Sequence, residues 1–291
     1  MPRASPQNSR FAHRPVLITG CSSGIGLCVA EGLRERGYPV FATARAEADV
    51  QRLAQAGFVS LRLDLRDSLS IAAAVDAMLE RTGGTLYALF NNGAYGQPGA
   101  VEDLTRTVLR EQLETNLLGW LELTNRIIPV MRRQGYGRII QNSSVLGLVA
   151  LPYRGAYNTS KFALEGLTDT LRLELAGSGI HVSLIEPGPI RSRFRHHALE
   201  SFRRNIDAST SVHRDRYRGM LERLQKEGDA APFTLEPNAV LARVIQALES
   251  RRPKVRYYVT VPTYLFGFLR RVLPDRWMDR VVLRISRGGA G

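Results

Sequence analysis

Residues 15–26 read P-V-L-I-T-G-C-S-S-G-I-G, and the reading of this stretch decides the fold. Residues 15–19 are a short apolar, β-branched run. A glycine turn follows at once, and Ile25, Val29 and Leu33 then recur at helical spacing. Strand, glycine turn and helix in that order aim backbone N–H groups and the positive end of a helix at one point. Such a point is a cradle for the pyrophosphate of a dinucleotide. The spacing Gly20-x-x-x-Gly24-x-Gly26 is not G-x-G-x-x-G, and the lysine of a triphosphate-binding loop is missing, so kinase and NTPase chemistry fall away.

Working outward, apolar runs recur at residues 39–43, 58–63, 86–91, 137–144 and 180–185, with helical patterns between them. Strands that alternate with helices predict an α/β fold, a doubly wound parallel sheet of six to seven strands with helices on both faces. Ligands of such sheets bind at the carboxyl ends of the strands. A helical pattern from about Thr105 to Gln134 carries Asn116 and includes Pro129, which is expected to kink it or remove one backbone bond. Residues 193–232 break the pattern and are read as an irregular, mobile lid over the site. The expected organisation is a flexible N-terminus over 1–13, one domain over 14–260 and a basic amphipathic tail over 261–291.

The chemistry centres on Y-N-T-S-K, in which Tyr157 and Lys161 stand four apart on one helix face. A free phenol has a pKa near ~10, and a nearby cation is expected to lower it and make Tyr157 a usable proton donor. Ser144 ends the strand G-R-I-I-Q-N-S-S, and its hydroxyl falls at the strand's carboxyl end beside that pair. Ser143 alternates to the opposite face.

Thr19 to Gly26, the N-N-G-A from Asn91, Asn116, Ser144, the Tyr157–Lys161 pair and P-G-P-I from Pro187 form an ordered set. The set resembles the short-chain dehydrogenase/reductase family over about residues 14 to 195, Ser144 standing at that family's interval of thirteen before Tyr157. Its look is closest to bacterial NADP-dependent aldehyde reductases and to the 17β-hydroxysteroid and retinol dehydrogenase branch. The resemblance implies a Rossmann-like fold, a nicotinamide cofactor and an Asn116, Ser144, Tyr157, Lys161 tetrad. It assigns Gly20, Ser22, Ser23, Gly24, Ile25, Gly26, Asn91, Asn92, Gly93, Tyr157, Lys161, Pro187, Gly188, Ile190 and Ser192 to the cofactor. It also gives the adenine ring to Asp64 and Leu65. Tyr95, Leu146 and Tyr153, with Ser144, are expected beside the substrate. The family usually has N-N-A-G where this chain has N-N-G-A, which puts the local backbone shape in question. Many relatives pair through two long helices, so a homo-oligomer is an open expectation.

Arg45 stands about twenty residues past the glycine turn, at the strand end where an acid would hold an NAD ribose. A guanidinium there attracts a 2′-phosphate instead, so NADP(H) is the expected cofactor. Hydrophobic residues from Val145 to Leu151 beside the site suit an apolar carbonyl or alcohol substrate. His196 and His197 have no third ligand spaced near them in this reading, and no metal is expected.

The chain of 291 residues carries a net charge of +13, and residues 251–291 hold ten Arg and Lys against two Asp. No helix-turn-helix or RNA-binding signature accompanies that charge, and no nucleic-acid partner is expected. No apolar run reaches the ~20 residues that span a bilayer. The start M-P-R-A-S-P-Q-N-S-R lacks the apolar core of a signal peptide, so a cytoplasmic protein is expected. From Tyr257 to Leu269 run thirteen uncharged residues, followed by R-R-V-L-P-D-R-W-M-D-R. Aromatics and leucines among arginines suit a surface helix in peripheral contact with a membrane, or a segment packed across the substrate mouth or a subunit interface. Pro262 and Gly267 interrupt the run and favour packing.

Overall fold

The structure, a computed structural model, describes residues 11–226, 228–229 and 231–288. Among them seven strands run parallel: β1 (Val16–Ile18), β2 (Val40–Ala44), β3 (Val59–Arg62), β4 (Ala88–Asn91), β5 (Gly137–Asn142), β6 (Ile180–Glu186) and β7 (Arg256–Tyr258). Their order is β3-β2-β1-β4-β5-β6-β7, with Val16 in register with Val40 on one side and Ala88 on the other. The chain reverses its direction of winding between β1 and β4, and the crevice beyond their carboxyl ends is where such a sheet takes a ligand. The seventh strand opens the uncharged stretch that the sequence assigns to the tail.

Both faces of the sheet are covered, so side chains one residue apart enter different cores. Val16 and Ile18 pack with α1 (Gly24–Glu35), α2 (Glu47–Gln55) and α9 (Asn238–Glu249). Leu17 packs with α3 (Ser68–Arg81), α5 (Gly119–Gln134) and α6 (Gly155–Glu174). Phe11 belongs to the first core too, buried and stacked on Tyr38 at 4.3 Å, so the ordered fold starts inside the segment expected to be flexible. Residues 1–10 of that segment lie outside the described residues.

Two expectations about helices are corrected. The run from Thr105 to Gln134 is α4 (Arg106–Leu113), a π-helical turn over Glu114–Leu118 and α5. The irregularity falls on Asn116, whereas Pro129 lies inside the continuous α5. The stretch read as irregular instead forms α7 (Phe194–Asn205) and α8 (Arg214–Gln225). Phe202, Ile206 and Tyr217 of this region bury one small core with Ala100, and the Tyr217 hydroxyl donates to Asp103 and accepts from the Ala100 N–H at 2.8 Å.

The chain ends in α10 (Val261–Val272) and α11 (Asp275–Gly288). Pro262 and Gly267 do not break α10. Proline sits in the first turn, where its missing N–H has no partner to lose, and Gly267 is buried where a Cβ would stand 2.7 Å from the Tyr258 ring. Phe266, Met278 and Val282 pack on Val149 and the residues around it, so the inner face of the tail backs the loop after Ser144. No helix among the described residues is long and apolar enough to cross a membrane.

Two glycines give opposite expectations. A Cβ at Gly119 would lie 2.0 Å from the Leu65 carbonyl oxygen, whereas one at Gly166, exposed in mid-α6, meets nothing within 4 Å. Gly119→Ala should therefore cost about 1–3 kcal/mol or more by overpacking. Gly166→Ala should stabilise by roughly 0.5–1 kcal/mol through helix propensity. Urea unfolding midpoints read both signs, and an unchanged midpoint for Gly119→Ala would contradict this packing.

Candidate active site

The glycine turn takes its shape from what surrounds it. Gly20 and Gly24 hold φ of +71° and +59°, in the left-handed region that side chains rarely adopt. A Cβ on Gly26 would lie 2.2 Å from the Gly20 carbonyl oxygen. Ser23, at the N-cap of α1, makes no side-chain cap bond, which leaves the first-turn amides of the helix to a ligand. Bare amides, a positive helix end and close backbone approach are the chemistry of a pyrophosphate cradle, and the residues fit a dinucleotide. Ser22 and Ser23 are half-exposed in the turn, while Ile25 packs against the core below it.

Hydrogen bonds knit this turn to the strand ends beside it. The Thr19 hydroxyl accepts from the N–H groups of Asn92 and Gly93, both at 2.8 Å. The Asn92 amide donates to the Thr19 and Gly20 carbonyls, and its oxygen accepts from the Asn142 amide at 2.9 Å. The exchanged N-N-G-A order is accommodated here. Gly93 lies against Gly20, whose own Cβ would stand 2.6 Å from the Gly93 Cα, and Ala94 needs no positive φ.

Tyr157 and Lys161 share one face of α6. Lys161 is 1% exposed; its Nζ donates to the Asn142 carbonyl at 2.8 Å and lies 4.5 Å from the centre of the Trp120 ring. Burial pulls its pKa down to about 7, against the opposing pull of Glu165. Burial also pushes Tyr157 up to about 12, with a hydrogen bond from Ser144 and the charge of Arg154 acting the other way. The expectation that the lysine lowers the phenol is thus corrected: removal from water outweighs nearby charge for both groups. Ser144 is 8% exposed and lies against Tyr157, its Oγ also accepting from the Leu146 N–H at 3.1 Å. Ser143 turns away toward Glu165. Asn116 brackets Tyr95, accepting from its N–H and donating to its carbonyl, and donates to the Ser160 hydroxyl at 3.3 Å.

Behind Lys161 lies a cluster of acids that the sequence reading missed. Glu165, one turn on from the lysine, and Glu186, at the end of β6, are both buried, and burial holds both carboxyls above their ordinary range. Arg256 of β7 lies 3.2 Å from Glu165, 2.7 Å from Asp169 and 3.1 Å from Glu186. The i, i+4 spacing of Lys161 and Glu165 is legible in sequence; the approach of residue 256 is not.

Other assigned residues fall as follows. Arg45 is exposed at the end of β2, with no carboxylate in ion-pair range among the described residues. Asp64 accepts from the Arg66 N–H and Leu65 is buried against Gly93, so both shape the turn between β3 and α3. Asn91 is fully buried and donates to Thr124, which turns its side chain from the crevice. Pro187 accepts from the Val145 N–H, and Gly188 has Thr260 where a Cβ would be. Ile190 packs on the core beneath α1, and Ser192 lies over Gly24 and accepts from the Phe194 N–H. Leu146 is buried. Tyr153, at φ +61°, stacks edge-on with His213 and Tyr217 of the lid segment. Phe194, the first residue of α7, meets the Tyr157 ring edge-on at 5.3 Å and fills the space beside Gly96; its place in a polar stretch hid it. His196 and His197 do have a third neighbour, Glu200, one turn on, but all three are exposed.

Comparison with known proteins agrees with this geometry. A family model described as short chain dehydrogenase matches residues 14–201. The uncharacterized oxidoreductase YbbO of Escherichia coli (strain K12) is 42% identical over 94% of this chain and 95% of its own. Human 17-beta-hydroxysteroid dehydrogenase type 1 is 35% identical over 86% of this chain and 78% of its own. A solved short chain dehydrogenase/reductase from Burkholderia phymatum, in complex with NAD, superposes with a TM-score of 0.75 at 25% identity, covering 90% of this chain and 93% of that one. A glycine cradle tied to a half-buried tyrosine and a buried lysine, matched by that model over most of the sheet, places the chain in the short-chain dehydrogenase family of nicotinamide-dependent oxidoreductases.

Proposed function

We propose that the chain is an NADPH-dependent reductase of hydrophobic aldehydes or ketones, reversible toward alcohol oxidation, working in the cytoplasm. The observation that carries the reading is the half-buried Tyr157, in contact with Ser144 and one helical turn from a buried amine whose pKa lies near neutrality. The bound dinucleotide supplies the hydride. Ser144 is placed to donate to the substrate carbonyl oxygen and hold it beside the phenol. A phenol near pKa 12 keeps its proton until that oxygen takes on alkoxide character, a far stronger base, and then gives it up downhill. Lys161, able to take a proton from solvent because its own affinity sits near pH 7, would offset the charge left on the phenolate. Asn116 fixes the Tyr95 segment beside this cluster.

Arg45 supports NADPH over NADH. It is exposed at the strand end and unpaired among the described residues, so a 2′-phosphate would gain a charge-assisted contact there. Gly20, Ser22, Gly24 and the first-turn amides of α1 would hold the pyrophosphate. The Phe194 ring beside Tyr157 supports a hydrophobic substrate, whereas Val145, Leu148, Val149 and Leu151 pack on the tail. Two free cysteines, one buried, suit a reducing compartment. A second reading, a dehydrogenase of the hydroxysteroid or retinol type, draws on the likeness to the human 17-beta-hydroxysteroid dehydrogenase. A panel of aldehydes, ketones, steroids and retinoids, run with NADPH and with NADH, separates the two; preference for NADH would overturn the cofactor assignment.

Tyr157→Phe should lower kcat by ~100 to 10,000-fold with the Kd for NADPH nearly unchanged, since only the transferable proton is lost. Comparable turnover in the variant would sink the assignment. Arg45→Asp exchanges attraction for repulsion at the ribose and should swing the ratio of kcat/KM for NADPH over NADH toward NADH by at least ~2 kcal/mol.

A further inference from the structure

The outer face of α10 carries its apolar side chains outward. Val261, Tyr264, Leu265, Phe268 and Val272 are all about half exposed or more, between 48% and 61%. Their spacing of three and four residues gathers them into one stripe along the helix. Thr263, Phe266 and Gly267 face the protein, so the stripe is not a core that has slipped its register. Such a stripe normally has a partner.

A basic cavity opens along the flank of this stripe. Its lining includes Arg243 of α9, Lys254, Tyr258 of β7 and, from α10, Tyr264 and Arg271. Tyr264 belongs to both features: it is in the stripe, and its hydroxyl donates to the Tyr258 carbonyl at 3.2 Å within the cavity lining. Arg256 at the same cavity is neutralised by Glu165, Asp169 and Glu186, but Arg243, Lys254 and Arg271 have no carboxylate in ion-pair range among the described residues. Further along the tail, Arg280 lies 5.2 Å from the exposed Trp277 ring and is likewise unpaired.

We propose that this face docks on a membrane surface bearing acidic phospholipid, with the headgroup phosphate in the Arg243–Lys254–Arg271 cavity and the α10 stripe lying in the acyl boundary. Charge complementarity selects this occupant. A second copy of the chain laid on the stripe by a two-fold axis would set one basic cavity close to another, and like charges would oppose it. A nucleic acid would satisfy the cations but leave Val261, Leu265 and Val272 in water. An anionic bilayer interface satisfies both halves, taking guanidinium and ammonium groups at the headgroups and aliphatic and aromatic side chains just beneath. The inner face of the same tail packs on Val149, so docking brings the apolar side of the site toward the lipid.

The full chain should float with phosphatidylcholine vesicles containing about one-third phosphatidylglycerol, and that binding should fall as salt rises through the screening range. Vesicles of phosphatidylcholine alone should retain at least tenfold less. Arg243→Glu with Lys254→Glu, and separately Leu265→Asp with Phe268→Asp, should each reduce flotation by tenfold or more, with unchanged circular dichroism and unchanged affinity for NADPH. Four outcomes would overturn the proposal. These are equal binding to both vesicle types, loss with the charge variant but not the stripe variant (a soluble-anion site), displacement by millimolar inorganic phosphate, and a dimer in light scattering that Phe268→Asp dissociates.

Discussion

The site depends on one amine taken out of water. Lys161 is nearly wholly enclosed, its Nζ on the Asn142 carbonyl and against Trp120, and its ordinary preference for charge is weakened by that burial. Enclosure of this kind favours hydrogen-bonded partners for the amine and its neighbours. The side-chain amide of Asn142, whose backbone carbonyl accepts from the lysine, donates to Asn92, and the Asn92 side chain donates to the Thr19 and Gly20 carbonyls. A continuous chain of hydrogen bonds thus runs from the lysine to the glycine turn. The Tyr157–Lys161 cluster and the glycine turn are one connected unit.

The last part of the chain returns to the same place. Arg256 of the edge strand β7 enters beneath α6 and bridges Glu165, Asp169 and Glu186, two of which are buried acids whose carboxyls desolvation pushes above their ordinary range. Removal of a guanidinium from such a cluster would leave buried carboxyls without their counter-charge, a costly state. From β7 the chain passes directly into α10, whose inner face supports the loop after Ser144. The tail therefore sits on the catalytic framework with one face and meets the surroundings with the other.

What could be read from sequence was what depends on local spacing. The glycine turn, the alternation of strands and helices and the Tyr157–Lys161 face follow from local spacing, the choice of Ser144 over Ser143 rests on the family's interval to Tyr157, and the sheet confirms the fold they imply. What escaped depends on partners far along the chain. Asn91 turns to Thr124, Leu65 is packed under Gly93, and Phe194 reaches Tyr157 from a polar stretch whose few apolar residues hid two helices. The irregular helical turn falls on Asn116 and not on Pro129, because the bracket on Tyr95 selects the first and α5 absorbs the second. Burial is the deepest omission. Spacing says which groups meet, but only the closed core shows that desolvation outweighs their attraction.

That balance is open to direct measurement in the ligand-free protein. Heteronuclear NMR of lysine-labelled chain, with Lys161→Met identifying the signal, reads the titration of one amine among the surface lysines. The account predicts a midpoint near 7, because burial disfavours the charged form. A midpoint near ~10.4, the value of a lysine in water, would show that the amine keeps its charge at neutral pH and would contradict the picture of a site governed by desolvation.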